Sequence, residues 1–312
     1  MILSVSRRTD IPTYYSDWFF NRIKEGFLCV RNPMNPHQVS KIMITPDLVD
    51  CIVFWTKNPE PMLSRLDELK EYRYYFQFTL TGYGRDIDYN VPHKREQMIP
   101  IFQQLSDKIG PERVVWRYDP ILLSDHYTIE YHCRAFEQIA KALSGYTKRC
   151  VISFVDMYAK MQKNMVSVGM RDFTREDMEL LAKTFSQIAR ENGMEIFTCA
   201  EEADLSAYGI FHSSCIDREL VEQITGYPIA VKKDKNQRGT CGCVESIDVG
   251  TYNTCKNGCR YCYANYSYEN VAANCRRYDP NSPILCGEIH EDDKITERKV
   301  KSLRVWQERI KI

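Results

Sequence analysis

The sequence predicts an α/β protein whose strands form a parallel sheet, either open or rolled into a barrel. Two patterns carry that expectation. Short runs rich in Val, Ile, Phe, Tyr and Trp recur along the chain, and stretches of helical periodicity separate them. Strands alternating with amphipathic helices of that length are the signature of βαβ units. The 312 residues suffice for one large domain or two small ones, and an apolar fraction of 44% supports a packed core.

In order, ILSVS (2–6) is expected as a strand and is followed by a helix near 14–25. FLCVRNP (27–33) and KIMIT (41–45) interrupt the alternation as an inserted hairpin. CIVFWT (51–56) precedes PEPMLSRLDELKEY, in which Met62, Leu63, Leu66 and Leu69 recur at helical spacing. Strands are expected at 74–81, 113–119, 150–156 and 195–202, with helices near 94–108, 128–144 and 174–192 between them. A charged loop, KKDKNQRG (232–239), then divides residues 1–230, the strands and helices, from a Cys-rich segment at 231–312. The two are expected to form one integrated domain.

Lys plus Arg (42) balance Asp plus Glu (42), so no global field selects nucleic acid or an anionic membrane. No apolar run is long enough to span a bilayer, and the start lacks a small-residue cleavage site, which points to the cytoplasm and away from membranes. In a reducing compartment the thirteen cysteines favour metal or redox chemistry over disulfides. Cys29, Cys51, Cys133 and Cys150 lie in apolar segments and read as core residues.

The strongest constellation is Cys255-Lys-Asn-Gly-Cys259-Arg-Tyr-Cys262, with spacing C-x3-C-x2-C. Three thiolates on one short loop can bind three irons of a [4Fe–4S] cubane and leave the fourth iron open, whereas electron-transfer clusters mostly use four protein ligands. An open iron can chelate the amino and carboxylate groups of a cofactor. The alternatives are zinc, which wants a fourth protein ligand, and unligated thiols.

The stretch Val249-Gly-Thr-Tyr-Asn-Thr-Cys255 through Cys262-Tyr-Ala resembles the cluster loop of radical SAM enzymes, in particular the branch similar to spore photoproduct lyase. Across nearly its full length the chain also resembles an uncharacterised bacterial family known as domain of unknown function 1848. The first resemblance implies a partial or complete (β/α) TIM-like barrel, in which the cluster loop follows the first strand. Here ILSVSRRTDIPTYY, IVFWTKNPEPML, FTLTGYG and VVWRYDPIL resemble the second to fifth strands. The barrel would therefore be circularly permuted, with VESIDVG (244–250) supplying its first strand beside ILSVS. A separate cluster module appended to an unrelated barrel is the alternative.

In parallel α/β barrels the working residues sit at the C-terminal ends of strands. That rule selects Arg7, Arg8, Thr9, Asp10, Thr56, Lys57, Thr79, Thr81, Arg117, Asp119 and Asp156. The resemblance implies that Lys57 pairs with the carboxylate of S-adenosylmethionine. It also implies that Ser6 or Thr9 holds the amino group or ribose. Thr79 and Arg117 are further cofactor-binding candidates, and Tyr261 is expected beside the adenine. A lysine ending so apolar a run needs an anionic partner in any case.

Cys199, Cys215, Cys241 and Cys243 are expected to form a second site, an auxiliary [4Fe–4S] cluster or a structural zinc, unless they are simply buried thiols. The expected activity is reductive cleavage of S-adenosylmethionine to a 5′-deoxyadenosyl radical that abstracts hydrogen from a substrate. That substrate is open between small molecule, peptide and nucleic acid, and the reductant would be a flavodoxin or ferredoxin. A non-catalytic iron–sulfur carrier or sensor, and a zinc-stabilised ligand-binding barrel, are the competing classes.

Overall fold

The computed structural model describes residues 1–155, 165 and 168–306, so Asp156 lies outside the described residues. In chain order the strands are β1 (Ile2–Val5), β2 (Phe27–Arg31), β3 (Gln38–Met43), β4 (Cys51–Thr56), β5 (Tyr74–Thr79), β6 (Val114–Ile121) and β7 (Leu123–Ser124). They continue with β8 (Arg149–Phe154), β9 (Met170–Arg171), β10 (Glu195–Cys199), β11 (Phe211–Ser213), β12 (Ile247–Asp248) and β13 (Lys294–Glu297).

Eight strands form one sheet in the order β11-β10-β8-β6-β5-β4-β1-β12, and every pairing in it is parallel. Parallel neighbours need crossovers, supplied by helices Ile99–Ile109, Ile129–Ala142 and Arg175–Glu191, each placed between consecutive sheet strands. The chain is thus α/β, as expected. Among the described residues the two edge strands β11 and β12 do not pair, so the sheet is open.

Strands buried on both faces read as unbroken apolar runs, which is why CIVFWT and YYFQFT lack polar alternation. One face, with Leu3, Phe54, Phe76, Trp116 and Ile152, packs under the helices. The contact between Phe136 and Phe185, stacked 3.9 Å apart, joins two of those helices. Burying each such ring contributes about 1.5–3 kcal/mol. The opposite face, with Ile2, Val53, Tyr75, Val115 and Val151, is covered by helix Arg218–Thr225 and the segment after it. Five cysteines lie on that second face, Cys51, Cys199, Cys215, Cys241 and Cys243.

The expected hairpin is present as the antiparallel pair β2–β3, and β13 joins it in parallel. The fully exposed KITE of β13 carries no apolar alternation, so nothing local marked it as a strand. The single helix expected from PEPMLSRLDELKEY is instead two short turns, Glu60–Leu63 and Leu66–Leu69, which still bury the four apolar residues. Of the cysteines read as core, Cys29, Cys51 and Cys150 are buried and Cys133 is half-buried. Among the described residues no helix is long and apolar enough to cross a membrane.

The segment VESIDVG supplies β12, which lies against β1 with Leu3 opposite Ile247 and Ser4 opposite Asp248. Two residues of pairing make a weak strand, and side chains reinforce it. The Asp248 carboxylate accepts from Ser4 Oγ at 3.0 Å, Ser6 Oγ at 2.7 Å, Arg7 N at 2.8 Å and Gly250 N at 3.0 Å. Gly250 must be glycine here, because a Cβ at that position would fall 1.9 Å from Ser6 Oγ.

Candidate functional site

The loop carrying Cys255, Cys259 and Cys262 leaves the C-terminal end of β12 and spreads over the ends of β1, β4 and β5. Gly258, at φ +67°, provides the left-handed turn between the first two cysteines, and Tyr89 packs against it. Cys262 N donates to Cys259 O at 3.1 Å, and Asn265 Nδ2 donates to Cys255 O at 2.8 Å. The three thiols are half-buried. Burial pushes Cys255 up to about 12 and moves Cys259 and Cys262 upward as well.

Two buried carboxylates anchor the loop. Asp10, just past β1, accepts from Thr56 Oγ1 at 2.7 Å, Lys57 N at 2.8 Å, Asn257 Nδ2 at 3.0 Å and Thr13 N at 3.1 Å. It therefore ties β1, β4 and the cysteine loop to one point and caps the turn Ile11–Tyr14. Burial raises its carboxyl above the usual range, and the four hydrogen bonds offset part of that. Tyr14 Oη donates to Asn257 Oδ1 at 2.9 Å, so the asparagine is held from both sides.

Asp88, in the loop after β5, forms an isolated bridge with Cys259. Its carboxylate accepts from Lys94 Nζ at 2.8 Å, Tyr261 Oη at 2.9 Å, Thr81 Oγ1 at 3.0 Å and Lys57 Nζ at 3.3 Å. Burial works against the charge, yet Lys57 and Lys94 hold Asp88 well below the usual carboxylate range. Burial likewise opposes the charge on Lys57, and Asp88 with Cys259 outweighs it, so its ammonium stays above the ordinary lysine value. Lys57 Nζ also lies 2.6 Å from Tyr261 Oη. The anionic partner that the apolar run before Lys57 demands is thus Asp88.

The residues selected from sequence divide into two groups. Lys57, Thr9 and Tyr261 surround the cysteine loop, with Thr9 Oγ1 buried and without a hydrogen-bond partner beside Gly250. Ser6 Oγ is already engaged by Asp248 and Arg8 N. Thr79 is paired in register with Arg117, and Thr81 rather than Thr79 reaches Asp88. Arg117 is directed elsewhere, bound to Asp119 and 2.9 Å from Cys215 Sγ. Asp88, Lys94, Asn257 and Asp248 were not singled out. Their only signal is position after a strand end, the rule that selected Asp10, and it does not rank polar loop residues.

Cys199, Cys215, Cys241 and Cys243 come together on the sheet face away from the large helices, and all four are buried. Cys199 Sγ lies 2.7 Å from Cys215 Sγ. Cys215 contacts Cys243, and Cys243 contacts Cys241. Ile216 N donates to Cys243 Sγ at 3.4 Å, and the Arg7 guanidinium lies near the same sulfur. His212 does not join them, since its Nδ1 faces Thr198 Oγ1 at 2.9 Å and the residue is exposed. Cys275 and Cys286 belong to the main core, where Cys275 Sγ is 3.1 Å from Tyr15 Oη.

A cavity of about 1030 Å³ opens beside Lys94, between the loop after β5 and helices Ile99–Ile109 and Ile129–Ala142. Arg85, His93, Arg95, Tyr127 and Tyr131 line it.

Residues 2–264 match the model of one protein family, described as domain of unknown function (DUF1848). No curated protein matches the chain.

Proposed function

Because the chain belongs to the DUF1848 family, whose description assigns no activity, we propose from the site alone that it is a radical S-adenosylmethionine enzyme. Cys255, Cys259 and Cys262 would hold the [4Fe–4S] cluster. The observation that carries this reading is the placement of the C-x3-C-x2-C loop. It emerges from the C-terminal end of a strand paired beside β1, and Asp10 and Asp88 bind it to the ends of β4 and β5. The sheet order β12-β1-β4-β5-β6 is the one a permuted partial barrel would have, with the cluster loop after its first strand, and this supports the reading.

The residues fit the group. Zinc–sulfur bonds of about 2.3 Å bring every pair of ligand sulfurs on one zinc within about 3.8 Å. Among the described residues, the one set of three or more His, Cys, Asp or Glu ligand atoms mutually within 4.8 Å is His37, Asp292 and Asp293. At least one pair of the three loop sulfurs is therefore farther apart than a single zinc holds its ligands, which leaves room for a larger body between them. Thr9 Oγ1 and Asn265 Oδ1 are buried without partners at the same loop, available to a cofactor's polar groups.

When bound, cluster and cofactor supply one-electron cleavage of the sulfonium and hydrogen abstraction from a substrate. The chain's own residues position them. Asp10 fixes the loop through Asn257, and Lys57 presents an ammonium beside Cys259 for the cofactor's carboxylate. Tyr261, anchored by Lys57 and Asp88, closes the loop's inner side. Thr9, rather than the occupied Ser6, is the hydroxyl left for the amino group or ribose. A flavodoxin or ferredoxin would provide the electron, and the substrate class stays open between small molecule, peptide and nucleic acid.

Anaerobic reconstitution with iron and sulfide, followed by dithionite and S-adenosylmethionine, tests the reading. Formation of 5′-deoxyadenosine supports it. A reducible cluster without that product indicates a carrier or sensor, and zinc without iron indicates a structural metal. Either result removes the proposal.

A further inference from the structure

We propose that the cavity beside Lys94 binds a small phosphate ester carrying a planar aromatic ring, of the nucleoside monophosphate type. The proposal goes beyond the reading of the cysteine loop and does not rest on it, because binding alone tests it. The cavity, about 1030 Å³, is at the upper end of ligand-sized clefts. No residue of the cysteine loop lines it.

Its charge selects an anion. Four cations, Arg85, Lys94, Arg95 and Lys141, line it against one carboxylate, Asp86, which already accepts from Tyr127 Oη at 2.7 Å. Lys94 Nζ is held by Asp88 at 2.8 Å and Lys141 Nζ by Glu137 at 2.6 Å. Among the described residues, no hydrogen bond or ion pair engages the side chain of Arg85 or Arg95. Two free guanidiniums exceed the charge of a single carboxylate ligand. A phosphate monoester carries about −1.5 to −2 at pH 7 and presents the oxygens that guanidiniums bind in pairs.

The backbone delivers two of these cations in an uncommon way. Met98 N donates to His93 O at 3.2 Å and Ile99 N donates to Lys94 O, the i→i+5 pattern of a π turn. Such turns are rare and recur at functional sites. Here the turn gives the cavity wall both Lys94 and Arg95, just before the regular helix begins at Ile99.

The remaining lining suits the face of a ring. His126 and Tyr131 have centroids 5.7 Å apart and planes tilted by 43°, and His126 is exposed. Tyr131 Oη donates to Gly82 O at 2.7 Å and Tyr127 Oη to Asp86, so both phenols are fixed before a ligand arrives. Val91, Ile99 and Ile139 add apolar surface. A free phosphate ion would use none of this, whereas a ring ester uses both parts of the lining.

Lys94 also touches the loop site. It lines the cavity and binds Asp88, which in turn holds Lys57 and Tyr261. A phosphate that reaches Lys94 competes with Asp88, so one ammonium joins the cavity to the cysteine loop.

Titration calorimetry of the full-length chain at low ionic strength tests the proposal, with AMP, GMP, phenyl phosphate, adenosine and inorganic phosphate as probes. At least one of the three esters should bind once per chain. Adenosine and inorganic phosphate, each offering half of the contacts, should bind at least about tenfold more weakly. Arg85→Ala/Arg95→Ala should weaken ester binding about tenfold, near 1.4 kcal/mol, with Tm unchanged because both side chains are exposed. Lack of saturable binding by all three esters overturns the proposal. So does adenosine or inorganic phosphate binding as tightly as the best ester, or an unchanged affinity in the double-arginine variant, which would place the ester elsewhere. A chain that forms no 5′-deoxyadenosine but binds the esters in this pattern loses the radical reading and keeps this one.

Discussion

The two cysteine sets differ in how the fold assembles them. Cys255, Cys259 and Cys262 lie within eight residues on one loop, where a single glycine turn brings them to one place, and they remain half-buried. Cys199, Cys215, Cys241 and Cys243 meet only because β10, β11 and the segment before β12 fold onto the same sheet face. Their chemical settings differ in the same way. Carboxylates and ammoniums, Asp10, Asp88, Lys57 and Lys94, surround the loop. Guanidiniums, Arg7 and Arg117, face the interior thiols. A loop open at a strand end can admit a cofactor, whereas a closed interior set can hold only what is enclosed during folding.

The contrast can be broken most directly at Asp10. Asp10→Ala would strand three buried donors and a partly buried one at once, and stability should fall by about 3–5 kcal/mol, lowering Tm by about 10 °C. Calorimetry measures the loss. Thiol labelling should then show Cys255, Cys259 and Cys262 reacting faster while the interior four stay protected. Equal acceleration of both sets would mean that they are one cooperative unit.

Gly250→Ala tests whether the edge pairing of β12 positions the loop. The added methyl collides with Ser6 Oγ, so a cost of about 1–3 kcal/mol is expected in urea unfolding. Hydrogen exchange at Ile247 and Asp248 should rise together with it. Lys57→Ala leaves Asp88 paired with Lys94, so the fold should survive. Cofactor binding by titration calorimetry should weaken about tenfold, near 1.4 kcal/mol. Binding as tight as the parent's would remove Lys57 from the cofactor site.

The smallest effect is an acid one. Asp88 is held below its unfolded value of about 3.9. Its contribution is therefore fully present above that value and is lost as pH falls from about 4 towards the lower folded value. Urea unfolding of the parent should show stability declining in that window, and Asp88→Asn should flatten the decline. An unchanged slope in the variant would mean that other carboxylates carry it.

Much of the sheet was legible because parallel strands are buried on both faces. CIVFWT, YYFQFT and RVVWRYD therefore stand out as apolar runs, and β4, β5 and β6 lie where expected. The hairpin was legible from its two short apolar runs. β11, β13 and helix Arg218–Thr225 were not, because a short or exposed element takes its identity from its neighbours rather than from its own pattern. At the loop site, the cysteines and Lys57 were readable from spacing and context. Asp88 was hidden in GYGRDIDYN among other polar residues, and only its four donors single it out. Arg117 was read as a cofactor ligand from its place at a strand end. Its side chain instead points across the sheet face to Cys215, and side-chain direction along a strand depends on which face its register assigns.

By itself the sequence determined the α/β class, the strand order along the chain and the three-cysteine loop, since each is encoded in local periodicity or close spacing. Tertiary structure decided that β12 returns to lie beside β1, that Asp10 and Asp88 clamp the loop, and that four distant thiols share one buried place. Those contacts join residues up to 247 positions apart, and the chain can bring them together only once the sheet has formed, because the loop-closure cost of each is repaid by the others.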